Sequence, residues 1–255
     1  MRSPVKFFLL VFALSVPFWL AGGLTDLQLM PGLSVSALMA FCPLAAALIL
    51  TYQESGYASA TGLMKRSLDF QRIKAKRWYI PILLLMGGVD LVVYGLMRCM
   101  DLPLSAPQIQ VPQAALMFVA FFFLALGEEL GWSGYITGPL LARWSALQAG
   151  ALLGAVGVLW HLCALLLMHR PPTWIAWWCL YAVAFRILII WIYNNTGQSV
   201  FAVALFHATL NLSFVLFPVN GSYYDMRLGG LVMALTAAVV TLVWGPRTLT
   251  RSPQA

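Results

Sequence analysis

Apolar runs of about twenty residues recur along the whole chain, and that recurrence constrains the fold more than any other feature. An α-helix rises 1.5 Å per residue, so about 20 apolar residues cross the roughly 30 Å hydrocarbon core of a bilayer. Inside that core every backbone N–H and C=O must be satisfied within the segment, which favours helices. Eight runs fit, at about Val5–Leu24, Val35–Tyr52, Trp78–Met97, Pro112–Tyr135, Leu147–Met168, Trp174–Tyr193, Ser199–Phe217 and Arg227–Trp244. They leave no room for a second domain. Residues 1–255 therefore read as a single all-α, polytopic transmembrane domain of about eight helices. Composition agrees: 62% of the residues are hydrophobic and 9% are charged, whereas a soluble domain carries about 25% charge. Fifteen basic and eight acidic side chains cannot cover a soluble surface. The net charge of +7 leaves too few basic residues for a nucleic-acid face. Pro31-Gly32, Pro103, Pro139, Pro171-Pro172, Gly197 and Gly229-Gly230 punctuate the short connections, and no internal repeat is visible.

The basic residues orient the bundle. With the N-terminus inside, the cytoplasmic segments hold Arg2, Lys6, Lys65, Arg66, Arg72, Lys74, Lys76, Arg77, Arg143, Arg247 and Arg251. The outer loops hold Arg98, Arg170 and Arg227, and Arg186 lies within a span. Both termini are expected in the cytoplasm, and the Lys65–Arg77 segment is expected to anchor at the anionic leaflet. The first span, preceded by Arg2 and Lys6, reads as a retained signal anchor. Cys42, Cys99, Cys163 and Cys179 show no metal-site spacing and are assigned no function.

Ionisable groups inside a bilayer are costly, which makes each one a functional candidate. Here they are Asp90, Glu128, Glu129, His161, Arg186 and His207. Adjacent helix residues differ by about 100°, so Glu128 and Glu129 aim along different faces: one can serve a reacting centre while the other supports it. A carboxylate there suits a group that takes and returns a proton. His207 and Asn211 are four apart and share a helix face as two neutral hydrogen-bond donors, the equipment for stabilising an oxyanion. His161 alone also fits a helix-packing donor. Counting residues from the span ends places Glu128 and His207 at similar depth, roughly 12–15 Å from the cytoplasmic end, with His161 somewhat deeper. A carboxylate, an imidazole and two donors at one buried level read as a hydrolase acting on a carbonyl. Asp90, beside Gly87-Gly88, reads as a polar helix contact.

Three segments resemble the motifs of the CAAX protease and bacteriocin-processing family, also called Abi, which includes the type II CAAX prenyl endopeptidases. The family pattern is Glu-Glu-x-x-x-Arg, then Phe-x-x-x-His, then His-x-x-x-Asn. The chain has Glu128-Glu129-Leu130-Gly131-Trp132-Ser133, then Gly157-Val158-Leu159-Trp160-His161, then His207-Ala208-Thr209-Leu210-Asn211. The likeness covers about residues 112–216. It implies an eight-helix intramembrane protease in which Glu128 and His161 activate a water, His207 and Asn211 form the oxyanion hole, and Glu129 is a supporting acid. Two positions depart from the pattern. Ser133 stands where the family has Arg, and Gly157 where it has Phe. The missing Arg is the i+4 partner of Glu129, so Glu129 is expected either to be neutral more often or to find another cation; Arg186 is a candidate for that cation, and its plainer reading is snorkelling to the interface.

The implied substrate is a membrane-embedded or lipidated peptide. The other partner is the bilayer, and nucleic acid is not one. No cofactor is expected, although Glu129, His161 and His207 also make a conceivable three-ligand zinc set. Two other functions fit the residues: a non-catalytic relative acting as a peptide-binding or immunity protein, suggested by Ser133 and Gly157, and a proton-coupled transporter. The absence of repeated halves counts against the transporter.

Overall fold

The computed structural model describes residues 3–25, 27–30, 33–105, 110–218, 221 and 223–251. Arg2 and Pro31-Gly32 lie outside the described residues. Among the described residues eight helices form the bundle: α1 (Pro4–Leu24), α2 (Cys42–Lys65), α3 (Tyr79–Cys99), α4 (Val111–Leu141), α5 (Ala146–Leu167), α6 (Pro172–Asn195), α7 (Val200–Leu216) and α8 (Met226–Trp244). All but α7 are long and apolar enough to cross a membrane, and the chain is a multi-pass membrane bundle. At 17 residues α7 is about 26 Å long. It packs between α3 and α4 and also touches α6. α6 lies against both α5 and α8. α4, α6 and α7 therefore meet at the centre, and these helices carry the acids, Arg186 and His207.

The structure differs from the sequence reading in two places outside the centre. A short antiparallel pair, β1 (Gln28–Met30) with β2 (Leu33–Ser34), follows α1, and a 3-10 segment, Val35–Phe41, leads into α2. The second span also continues past Tyr52 to Lys65. It breaks at Gly56, whose φ of +76° is open to glycine and strained for other residues.

The segment after α2 is a folded strap. Arg66 donates to the carbonyls of Gly134 (2.7 Å) and Gln198 (2.6 Å) and to the Tyr193 hydroxyl (3.1 Å). The Asp69 carboxylate accepts from the Ser199 hydroxyl (2.7 Å) and from the backbone N–H groups of Val200 (3.2 Å) and Phe201 (3.0 Å). Those N–H groups are among the ones a helix start leaves without an internal partner, and an anion there also faces the positive end of the helix dipole. The strap thus fixes the start of α7, two turns before His207. Part of the charge expected only to anchor the chain at the leaflet is used instead to set the central helices.

Candidate active site

Two glycines aim the α4 carboxylates. A Cβ on Gly127 would lie 2.8 Å from the Ala40 carbonyl oxygen, and one on Gly131 would lie 2.4 Å from that of Pro43. α4 is therefore pressed backbone to backbone against the start of α2, a contact that small residues four apart permit. This fixes its rotation and turns Glu128 and Glu129 away from α2. Immediately afterwards the helix widens into a π segment, Trp132–Ile136, in which both the N–H and the hydroxyl of Thr137 bond to the Trp132 carbonyl. Single π turns recur at functional sites because they re-aim a helix face.

Glu129 is completely buried. Its Oε2 accepts from Arg186 Nη1 at 2.9 Å and from the Ser133 hydroxyl, and its Oε1 faces His207 Nδ1 at 3.1 Å. A buried carboxylate without water needs such partners, since its desolvation costs several kcal/mol. Arg186 is itself about 90% buried at its side chain and does not snorkel. It supplies the cation that a Ser at position 133 cannot, while Ser133 still donates to the same oxygen from one turn below. The glutamate is thereby tied to α6, α7 and its own helix.

Glu128 has a different setting. It lines a cavity of about 330 Å³, together with His161, Arg186, His207 and Asn211. Phe121, Trp178, Tyr181, Phe185 and Phe214 form much of the remaining wall, and Arg170 and Trp174 also line the cavity. His161 stands edge-on to Trp160, with Trp178 at 5.5 Å, and its Nδ1 is 2.9 Å from the Gly157 carbonyl oxygen. A carbonyl only accepts, so Nδ1 carries the proton, and in the neutral ring Nε2 is left as an acceptor. The same logic applies at His207. Its Nδ1–H is spent on Glu129, so a neutral His207 has only a lone pair at Nε2. It donates from that atom only when both ring nitrogens carry protons. The sequence reading of His207 as a ready neutral donor beside Asn211 needs this amendment.

The structure therefore brings Glu128, His161, His207, Asn211 and Arg186 to one cavity and sets Glu129 behind it. The zinc set of Glu129, His161 and His207 is not assembled as ligands. Both Glu129 oxygens face N–H or O–H donors, one of them a guanidinium. Among the described residues no group of three His, Cys, Asp or Glu side chains could hold a metal ion. Asp90 stands apart, its Oδ1 accepting from the Tyr224 hydroxyl at 2.9 Å. Sequence reasoning missed Ser133 as a partner, the Gly157 carbonyl as the clamp on His161, and Arg170 as a cavity residue. The first was legible in the i, i+4 spacing from Glu129. The other two depend on how α5 and α6 pack.

A family model described as type II CAAX prenyl endopeptidase Rce1-like matches residues 110–213. That stretch holds every residue of the cavity's polar set. Over 94% of this chain, and 93% of its own length, the CAAX prenyl protease 2 of Methanococcus maripaludis is 24% identical.

Proposed function

We propose that the chain is a member of the Rce1-like type II CAAX prenyl endopeptidase family, which it resembles over residues 110–213, and that it is an intramembrane endopeptidase hydrolysing a peptide bond in a membrane-embedded or lipidated peptide. One observation carries the reading: Glu128, His161, His207 and Asn211, drawn from three helices, line a single buried cavity. In the proposed reaction a water held by Glu128 and by the acceptor Nε2 of His161 gives its proton to Glu128 as its oxygen attacks the scissile carbonyl carbon. Negative charge develops on the carbonyl oxygen, where the Asn211 amide and a doubly protonated His207 donate. The C–N bond breaks, and Glu128 returns the proton to the departing amine. Glu129 touches neither water nor substrate. With Arg186 and Ser133 behind it, it holds the His207 ring by Nδ1.

Both termini and the Lys65–Arg77 strap face the cytoplasm in this proposal, on the strength of the basic bias, and residues 1–255 act as one domain. The test is cleavage of a farnesyl-cysteine peptide by the purified protein in ¹⁸O-labelled water. The expected result is one ¹⁸O atom in the new C-terminus, and no cleavage by Glu128→Gln. Cleavage that persists in Glu128→Gln would overturn the assignment. If the wild type and Glu128→Gln bind the peptide equally well and neither cleaves it, the protein is instead a peptide-binding relative.

A further inference from the structure

Three cations gather where α3 begins and α8 ends. Lys76 and Arg77 precede α3, Arg251 follows α8, and none of them lines the cavity of Glu128. Arg251 holds its guanidinium carbon 4.8 Å from the Trp244 ring centroid, and Lys76 holds its Nζ 5.7 Å from that of Tyr79. Trp244 also packs on Trp78, the residue after Arg77, with ring centroids 5.3 Å apart, and both pack on Trp191 of α6. The turn that carries Arg251 is tied to α6, where Asn194 and Asn195 donate to the carbonyls of Thr248 and Leu249 at 2.8 and 2.7 Å. Among the described residues none of the three cations makes an ion pair, whereas Arg66 and Arg72 of the strap both approach Asp69. A cation stacked on a ring keeps its N–H donors free, and tryptophan is enriched at the level of lipid headgroups.

From the same end an apolar groove of about 450 Å³ runs between α3 and α8, walled by Ile80, Leu84, Gly88 and Val92 on one side and by Val232 and Thr236 on the other. Ile80 to Val92 is about 18 Å of helix, and one leaflet of hydrocarbon is about 15 Å deep, half of the roughly 30 Å core. The groove is thus as long as an acyl chain is deep. The Thr236 hydroxyl is spent on the Val232 carbonyl at 2.7 Å, and a Cβ on Gly88 would meet nothing within 4 Å. Every lipid-facing surface touches acyl chains, but this groove ends beneath three cations that have no acid to pair with. Basic pockets between membrane helices suit anionic headgroups. We infer that the α3–α8 groove and Lys76, Arg77 and Arg251 form one binding site for an anionic phospholipid of the leaflet on the side of the Lys65–Arg77 strap. One acyl chain lies in the groove, and the phosphate oxygens accept from the three cations. Bound there, the lipid clamps the start of α3 to the end of α8.

The test is native mass spectrometry of the purified full chain in detergent, titrated separately with dioleoyl phosphatidylglycerol, dioleoyl phosphatidylcholine and inorganic phosphate. The wild type should retain one phosphatidylglycerol roughly ten- to hundred-fold more tightly than phosphatidylcholine, and inorganic phosphate should bind far more weakly than either. Each cation beside an anionic headgroup is worth roughly fivefold, so Lys76→Gln/Arg77→Gln/Arg251→Gln should weaken phosphatidylglycerol about a hundredfold and leave phosphatidylcholine unchanged. Gly88→Leu, which fills open space, should weaken both lipids. Lys6→Gln/Lys65→Gln/Arg247→Gln removes three other cations from the same side and should leave the preference intact. A loss in this control as large as in the first triple variant would mean general attraction to the leaflet and overturn the site. Equal retention of the two lipids by the wild type, or Gly88→Leu that binds them as the wild type does, would overturn it as well. So would inorganic phosphate bound as tightly as phosphatidylglycerol, or a protein dimer that excludes the lipid and so assigns the groove to a second copy.

Discussion

Two regions of the bundle each bury a carboxylate, and they do so by opposite means. At the junction of α4, α6 and α7, Glu129 is met by a guanidinium, an imidazole and a hydroxyl. On α3, Asp90 is met by the hydroxyl of Tyr224, and no basic side chain pairs with it among the described residues. A carboxylate with three partners, one of them a cation, is committed to its position, and it makes the elements around it interdependent. A carboxyl answered by a phenol asks only for an acceptor oxygen. The first arrangement suits a group that must hold a histidine still, and the second suits a contact between α3 and the segment before α8.

Breaking the first region should be expensive. Arg186→Met leaves Glu129 buried without its cation, and removing one partner of a buried pair costs about 3–5 kcal/mol. Denaturation of the purified variant in detergent should show a loss of that size, and a loss under about 1 kcal/mol would mean that the pair does not hold the junction. Neutralising the acids should separate the two regions further. Glu129→Gln turns an amide N–H toward donors that need an acceptor and should cost about 1–3 kcal/mol, the penalty of an unsatisfied buried group. Asp90→Asn can still accept from Tyr224 and should stay within about 1 kcal/mol of wild type. Equal losses for the two would erase the distinction.

The smallest effect tests the cavity edge. On α5, a Cβ at Gly154 would lie 2.8 Å from the Val183 Cα, whereas one at Gly157 meets nothing within 4 Å. Gly154→Ala should therefore destabilise by about 1–3 kcal/mol through overpacking. Gly157→Ala should stabilise by about 0.5–1 kcal/mol, the ordinary gain of Ala over Gly within a helix. A destabilising Gly157→Ala would show that the space beside His161 is closed.

Much of this was legible in sequence because a membrane makes charge rare. The spans follow from apolar run length, and the site candidates are nearly all the ionisable residues inside those spans. That Glu129 would be neutral or need another cation followed from Ser133 standing one turn after it, but the plainer reading of Arg186 was snorkelling, and only the way α6 meets α4 in the bundle brings it to Glu129. What was not legible depends on helix rotation and packing. Nothing local says that Gly127 and Gly131 press on Ala40 and Pro43, that Arg66 and Asp69 form a strap on the start of α7, or that the Gly157 carbonyl fixes the tautomer of His161. Arg170 was counted only as an outer-loop charge, because a cavity that reaches the α5–α6 connection is a property of the assembled bundle.

In the proposed reaction adjacent residues divide the labour: Glu128 would do the chemistry, and Glu129 would hold the frame. This division is tested most directly by measuring stability and turnover of a farnesyl-cysteine peptide together, for Glu128→Gln and Glu129→Gln. Glu128→Gln should melt within a few degrees of wild type while losing roughly 10²–10⁴-fold in kcat, the scale of a general base. Glu129→Gln should lose stability, and part of its activity with it. A stable Glu129→Gln with the greater catalytic loss, or a Glu128→Gln that still turns over, would contradict the account.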